Sequence, residues 1–189
     1  QNVQALSPTP EGWEITIPNS TYKARNLVIS TGSNPKIWQL LASLGHTIIP
    51  PVPSLFTFNT STQWAKELSG IAVNATVHLF SQGGKSLKIT ETAPLLFTHN
   101  GFSGPAVLRA SAWGARILAE CNYQCLMEVN FTAHNSETLT YDETLLFLQD
   151  CKQQNGRKTM QNFTLFELPK RLWNSLLDSA GIAPAQLWA

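Results

Sequence analysis

Trp13, Ile15 and Ile17 alternate with Glu14 and Thr16, the period-two pattern of a half-buried strand. Asn19 to Tyr22 supply turn chemistry, so the start of the chain reads as a hairpin. Leu27 to Ile29 form a short apolar run ending in Thr31-Gly32-Ser33. A run of that kind predicts a buried strand of a parallel sheet arriving at a ligand edge. The period then changes. Ile37, Leu40, Leu41 and Leu44 keep helical spacing, Asn34 and Pro35 suit the cap and first position, and Gly45 suits the stop.

From His46 the pattern is β-rich. Three prolines at 50, 51 and 53 exclude a central strand there. Ile71, Val73, Ala75, Val77 and Leu79 alternate up to a Gly83-Gly84 turn, and "KSLKIT" returns, which makes a hairpin. "LLFTH" and "CLMEVNFT" read as two further strands, and one helix from Pro105 to about Ala119 crosses this small antiparallel sheet or barrel. Beyond residue 134 the pattern turns helical. Thr140 and Glu143 form a capping box, Asn155-Gly156 ends that helix, and "TMQNFTLFEL" and "PKRLWNSLLDSAGI" predict two more. The fold class is α+β, with boundaries at 1–45, 46–133 and 134–189 and no internal repeat.

The 189 residues suffice for one full domain or two small ones. Charged residues make up 13%, about half the usual share, so part of the surface is expected to be covered in the natural protein. A formal charge of +1 gives no electrostatic reason to expect nucleic acid or anionic lipid. Three cysteines argue against a disulfide framework, and Cys121-x3-Cys125 lacks a second ligand pair for zinc, so no metal is expected. No long apolar span or signal-peptide pattern occurs, which predicts a soluble, cytoplasmic protein. The sequons Asn74-Ala75-Thr76 and Asn130-Phe131-Thr132 carry no weight without secretory context. A start at Gln1, close to a strand, suggests an excised or processed piece.

Gly101-Phe102-Ser103-Gly104-Pro105 approaches the hydrolase elbow Gly-x-Ser-x-Gly, but proline stands last. His134 is the only histidine downstream, and neither Glu120 nor Glu128 is an evident orienting acid. A serine hydrolase using Ser103 is therefore the weakest functional reading. A glycine-permitted turn into a helix is the plain one. Such a helix start also presents free N–H groups to a ligand, with Thr98, His99 and Asn100 beside it. His46 and His78 read as structural, and Lys170-Arg171 as a solvated helix face rather than a phosphate site.

Taken in order, "ARNLVISTGS", "LASLGHTIIPPVPSLFTF", "LSGIAV", "LLFTHNGFSGPAVLRAS" and "LPKRL" resemble the YhiN/BaiN-like flavoproteins, the aminoacetone oxidase family of FAD-binding enzymes. The resemblance implies an FAD domain interrupted by an insertion, part β-barrel-like and part helical. Residues 1–45 would be the last strip of the first FAD-domain segment, 46–133 the β-rich insertion and 134–189 a helical subdomain. It implies FAD as cofactor, NAD(P) as a candidate electron partner, and the remaining FAD-binding domain and a small-molecule substrate as partners. Small amino ketones and steroid-like enones are both suggested within the family.

Thr31 and Gly32 match the family's strand-end Thr-Gly and, with Ser33, are the cofactor-binding candidates. Thr98, His99, Ser103 and Gly104 match the insertion motif and are the ligand-facing candidates. The family's glycine-rich FAD turn is absent from this chain. Its longer loop after the Thr-Gly is absent too, since Thr31-Gly32-Ser33-Asn34-Pro35 runs directly into a helix. The chain alone is therefore expected to be inactive, its role being to cover the flavin and shape a substrate pocket. The rival reading is a non-catalytic binding or interaction module.

Overall fold

The structure is a computed structural model that describes residues 2–133 and 138–188. The chain divides into two compact units, residues 1–51 and 52–189. Residues 46–51, whose composition groups them with the β-rich stretch, cluster instead with the first unit. His134, the histidine downstream of Ser103, lies outside the described residues.

In the first unit, β1 (Ala5–Thr9), β2 (Gly12–Ile17) and β3 (Ser20–Ala24) form an antiparallel meander. The hairpin expected from the alternation is its β2–β3 half. Helix α1 (Pro35–Ser43) starts and stops where its sequence dictates. The Asn34 side chain accepts from the Lys36 N–H at 3.1 Å. At the other end Gly45 takes φ +92°, the Gly45 N–H donates to the Ala42 carbonyl and the His46 N–H to the Leu41 carbonyl. That pairing satisfies two terminal carbonyls in the way a left-handed residue after a helix permits.

The strand expected at Leu27–Ile29 does not form. These residues pair with no strand among the described residues, and Val28 is 84% exposed. An apolar run becomes a strand only where neighbours complete its hydrogen bonds and cover its side chains, and the meander next to it in sequence pairs only with itself.

The second unit is built on a five-stranded antiparallel sheet of order β4-β7-β6-β5-β8. Its strands are β4 (Phe58–Asn59), β5 (Ala72–Phe80), β6 (Ser86–Thr98), β7 (Gly101–Ser103) and β8 (Leu126–Asn130). The alternation along β5 is a true burial pattern: Ala75, Val77 and Leu79 are fully buried. "KSLKIT" and "LLFTH", read as separate strands, are one thirteen-residue strand, β6. Pro94 does not break it because at that point β6 has only one partner. Asn74 of β5 lies opposite, and β7 pairs only Leu96 to Thr98. Short helix α2 (Gln63–Glu67) precedes β5.

The helix expected from Pro105 to Ala119 is two, α3 (Pro105–Trp113) and α4 (Ala115–Glu120), divided at Gly114. A Cβ on Gly114 would lie 2.5 Å from Ile89 Cδ1, so the bare position lets the helices rest on the sheet. Ala106, Val107, Ala110 and Leu118 bury that face. Across the same contact Arg109 of α3 pairs with the buried Glu91 of β6 at 2.6 Å.

Thr76 hydrogen-bonds both Thr92 (2.7 Å) and Thr138 (2.5 Å). The Asn130 amide donates to the Leu139 carbonyl, and its oxygen accepts from the Thr132 N–H and hydroxyl. The sequon at 130–132 thus has a structural role, tying the sheet's exit to the segment entering α5 (Tyr141–Asn155).

The capping box of α5 forms as its sequence predicts, with Thr140 and Glu143 bonding reciprocally. "TMQNFTLFEL" forms no α-helix. It holds a 3-10 turn at Met160–Asn162 and then a second turn in which Phe166 and Glu167 both take φ +54°. A turn with two left-handed residues cannot propagate a right-handed helix. Helix α6 (Lys170–Ser179) follows, with Pro169 at its cap and Gly181 at φ +71° just beyond its end. Lys170 and Arg171 are both exposed, and Arg171 also donates to the carbonyls of Glu67 and Ser69 at the end of α2. Among the described residues no helix is long and apolar enough to cross a membrane.

Two tests arise from these contacts. Gly101→Ala should destabilise the second unit by about 2 kcal/mol or more in denaturant unfolding. Its φ is +147° and the new Cβ would fall inside contact distance of the Phe58 carbonyl oxygen. Gly83→Ala, whose new Cβ would meet only Ser81 Oγ at an ordinary 3.9 Å, should be near neutral. The Glu143 carboxyl is held below its usual range by the Thr140 backbone N–H and, next, the Thr140 hydroxyl. Its contribution is therefore present above the unfolded carboxylate pKa and lost as pH falls through the lowered folded value. A Tm-against-pH profile of Glu143→Gln should be flatter than the native one across that acid range.

Candidate functional site

The sheet of the second unit is curled but open, and its two outer strands, β4 and β8, line one cleft of about 870 Å3. Phe58 and Asn59 come from β4, Leu126, Met127 and Val129 from β8. The cleft floor is the outer surface of the core. Phe97, 1% exposed, packs its ring against Trp64 (6.0 Å), Phe102 (5.3 Å) and Phe131 (6.3 Å, stacked). Those three rings, each half-buried, face the cleft with what Phe97 leaves uncovered.

The rim is aromatic too. Phe56 meets Phe58 at 5.8 Å and Tyr123 edge-on at 5.6 Å. What holds Phe56 there is Ser111, fully buried on α3, whose hydroxyl accepts from the Phe56 N–H at 3.0 Å and donates to the Leu108 carbonyl at 2.8 Å. Polar groups of the lining are hydroxyls and amides, among them Thr57, Thr62, Asn59, Gln82 and Gln124. No charged side chain among the described residues lines the cleft. Such a surface suits a flat, uncharged ligand bound by stacking and a few hydrogen bonds.

Cys125 also lines the cleft. Burial, and next the neighbouring Cys121, push its thiol above the usual range, so it stays protonated at neutral pH. Cys121, Cys125 and Cys151 are all free, and the described residues hold no cluster able to bind a metal ion.

The ligand-facing candidates stand next to this cleft, around Phe102, but do not line it. Thr98 accepts the Gly101 N–H at 3.1 Å, which closes the β6–β7 turn. His99 is exposed and meets the Asn100 amide at 3.2 Å. Ser103 ends β7, half-buried, opposite Leu96. Among the described residues no histidine or carboxylate bonds its hydroxyl, so they supply no partner for a nucleophilic serine. Gly104 precedes α3 with φ +89°, and a Cβ there would lie 2.8 Å from the Pro94 carbonyl oxygen. Both glycines of the motif are thus demanded by close backbone approach.

Thr31, Gly32 and Ser33 lie in the first unit, exposed, on the irregular segment before α1. Gly32 takes φ +60°, and among the described residues, its two chain neighbours aside, nothing lies within 4 Å of where its Cβ would be. His46 follows the end of α1, and His78 bonds Thr90 at 2.9 Å on the β5–β6 hairpin. His46 contributes its backbone N–H to the helix end and is exposed, whereas the His78 side chain is engaged within the hairpin.

The cleft itself escaped sequence reasoning. Phe56, Phe58, Phe102, Tyr123 and Phe131 are scattered over seventy-six positions, and only the sheet order brings them together. Ser111 left a faint signal, a hydroxyl within the apolar face of α3 beside Val107 and Ala110.

An open antiparallel half-barrel, with two helices after it joined through two successive turns, defines a barrel plus helix–two-turn–helix architecture. The family model for the HI0933-like protein barrel and H2TH domain matches residues 52–189, and the chain belongs to that family of flavoproteins. A curated relative from Haemophilus influenzae, named ribosomal RNA dihydrouridine synthase, is 36% identical over 104 residues. The aligned stretch covers 49% of this chain and 24% of the relative, so the chain spans about a quarter of that protein.

Alkylation of Cys125 tests the cleft chemistry. Followed by mass spectrometry, its reaction with iodoacetamide should be slower at neutral pH than that of a free cysteine. Its rate should climb only at more alkaline pH than an unperturbed thiol requires.

Proposed function

We propose that the protein to which this chain belongs is an FAD-dependent oxidoreductase, and that residues 52–189 cover the flavin and shape its substrate pocket. Membership of a flavoprotein family carries this reading, and the uncharged aromatic cleft supports it. Residues 1–51 belong to the flavin-binding domain. The exposed apolar run at Val28 and Ile29 supports a sheet partner in the rest of that domain. Free thiols throughout support a reducing, cytoplasmic setting.

Thr31, Gly32 and Ser33 fit a flavin at its periphery. Gly32 holds a left-handed turn that no packing among the described residues explains, with open space where its Cβ would be. The segment offers hydroxyls and backbone groups but no phosphate cradle, so most of the cofactor contacts fall to other residues. When bound, FAD supplies the redox chemistry, with a nicotinamide as electron source, while the protein orients substrate and excludes water. The turn bearing Thr98 and His99, and the Ser103-Gly104 entry to α3, stand beside the substrate. No residue of this chain is assigned a catalytic role.

The relative's name refines the substrate. Dihydrouridine is uridine with two hydrogens added across one ring double bond, which is flavin-type reduction, and we take a uracil ring in RNA as the substrate of this protein too. The sequence argued against nucleic acid from net charge alone. That argument weighs phosphate contacts and says nothing about a neutral base held in an uncharged cleft. A non-catalytic module is not favoured by any feature of the cleft.

The full-length protein, purified, should absorb near ~450 nm, a property of the flavin ring system. A colourless preparation that takes up no added FAD would sink the oxidoreductase reading.

A further inference from the structure

We infer that the cleft between β4 and β8 is the binding site for the uracil ring itself, drawn out of its strand while the ribose and phosphates stay outside. This rests on the uridine reading above and assigns it a place. Four observations converge on the site.

The volume, about 870 Å3, falls in the range of small-ligand sites and exceeds what a single pyrimidine needs, so the base enters without rearrangement of the core. The wall rings are covered on one side and open on the other. Phe102 and Phe131 lie against buried Phe97, and Phe56 lies against Phe58 and Tyr123. A ring fixed from behind is a rigid stacking platform, and a base loses little of its stacking when it leaves a neighbour for such a face.

The lining amides of Asn59, Gln82 and Gln124 each carry a donor and an acceptor. Uracil's imide edge presents an N–H between two carbonyls, which an amide complements with paired hydrogen bonds. The absence of any charged residue from the described lining is the discriminating observation. A phosphate, carboxylate or ammonium would enter this cleft without a counter-charge, whereas a neutral base gives up no ionic hydration. A cleft that takes the base and refuses the backbone is what chemistry on an extruded nucleotide requires.

The competing occupants are a purely apolar group, a peptide strand laid along the free edges, and the flavin ring, which carries an imide edge of its own. Ligand-observed saturation-transfer NMR on the full-length protein separates them, with uridine as probe. Uridine should receive saturation mainly at its ring protons. Blocking the imide nitrogen, as in 3-methyluridine, should weaken binding, and inorganic phosphate should not compete.

Asn59, Tyr123 and Gln124 are exposed, so Asn59→Ala, Tyr123→Ala and Gln124→Leu should fold like the parent. Tyr123→Ala should weaken uridine about tenfold, the low end of what one stacking ring supplies. Phe58→Ala is the harsher variant, and its unfolding curve shows whether a loss of binding is a loss of fold.

Any of three results overturns the site: no saturation of uridine, uridine binding unchanged in all three exposed variants, or equal displacement by cyclohexanol or by riboflavin. Dihydrouridine formed in a ribosomal RNA transcript at full rate by Tyr123→Ala and Asn59→Ala would also overturn it, while leaving the uridine reading intact. A protein that binds uridine through Tyr123 but carries no flavin would keep the site and remove the oxidoreductase.

Discussion

The second unit depends on one close approach, the backbone of Gly101 against that of Phe58 and Asn59. Strand β4 has only two residues, and what fixes it to the sheet is its pairing with β7. The carbonyl of Phe58 sits where any side chain on residue 101 would begin. With that contact made, the Thr60 N–H reaches the Asn100 carbonyl at 2.9 Å, and β4 is clamped at both ends of the turn. Phe56 and Phe58 are then presented to the cleft, and Ser111 secures the approach from beneath. Without it the cleft would have one wall.

The motif that looked most chemical is thus mostly mechanical. Gly101 and Gly104 serve backbone contacts with β4 and β6, Thr98 closes a turn, and Pro105 starts a helix. The chemistry the fold offers lies one residue away in direction, through Phe102, whose ring joins the Phe97 cluster on the cleft side. Alternation along a strand accounts for this: neighbours on β7 point to opposite faces, so a motif reads as a unit in sequence while its side chains divide between two surfaces.

Local rules made much of the fold legible. The Asn34 and Thr140 caps, the stops at Gly45 and Gly181, and the alternation of β5 are set by a few neighbouring residues, and each formed as read. The misreadings share a cause. The strand at 27–29, the join of "KSLKIT" to "LLFTH" across Pro94, and the break at Gly114 depend on what lies opposite in space. Arg171 is exposed, as read, but its carbonyl partners, more than a hundred residues away, lie beyond any local rule. The cleft is the extreme case, because every wall comes from a different element and no short window contains it.

The open sheet has a cost that the sequence manages. Two unpaired strand edges are templates for pairing with other chains, and a site built from them invites self-association. Here β4 is kept to two residues, too short to seat a foreign strand firmly. The segment leading to it carries Pro50, Pro51 and Pro53, none of which can donate to a ladder. On the far side β8 is only five residues and carries Glu128 in its middle. The shortness that makes β4 look insignificant in sequence lets the barrel stay open at its cleft without becoming adhesive.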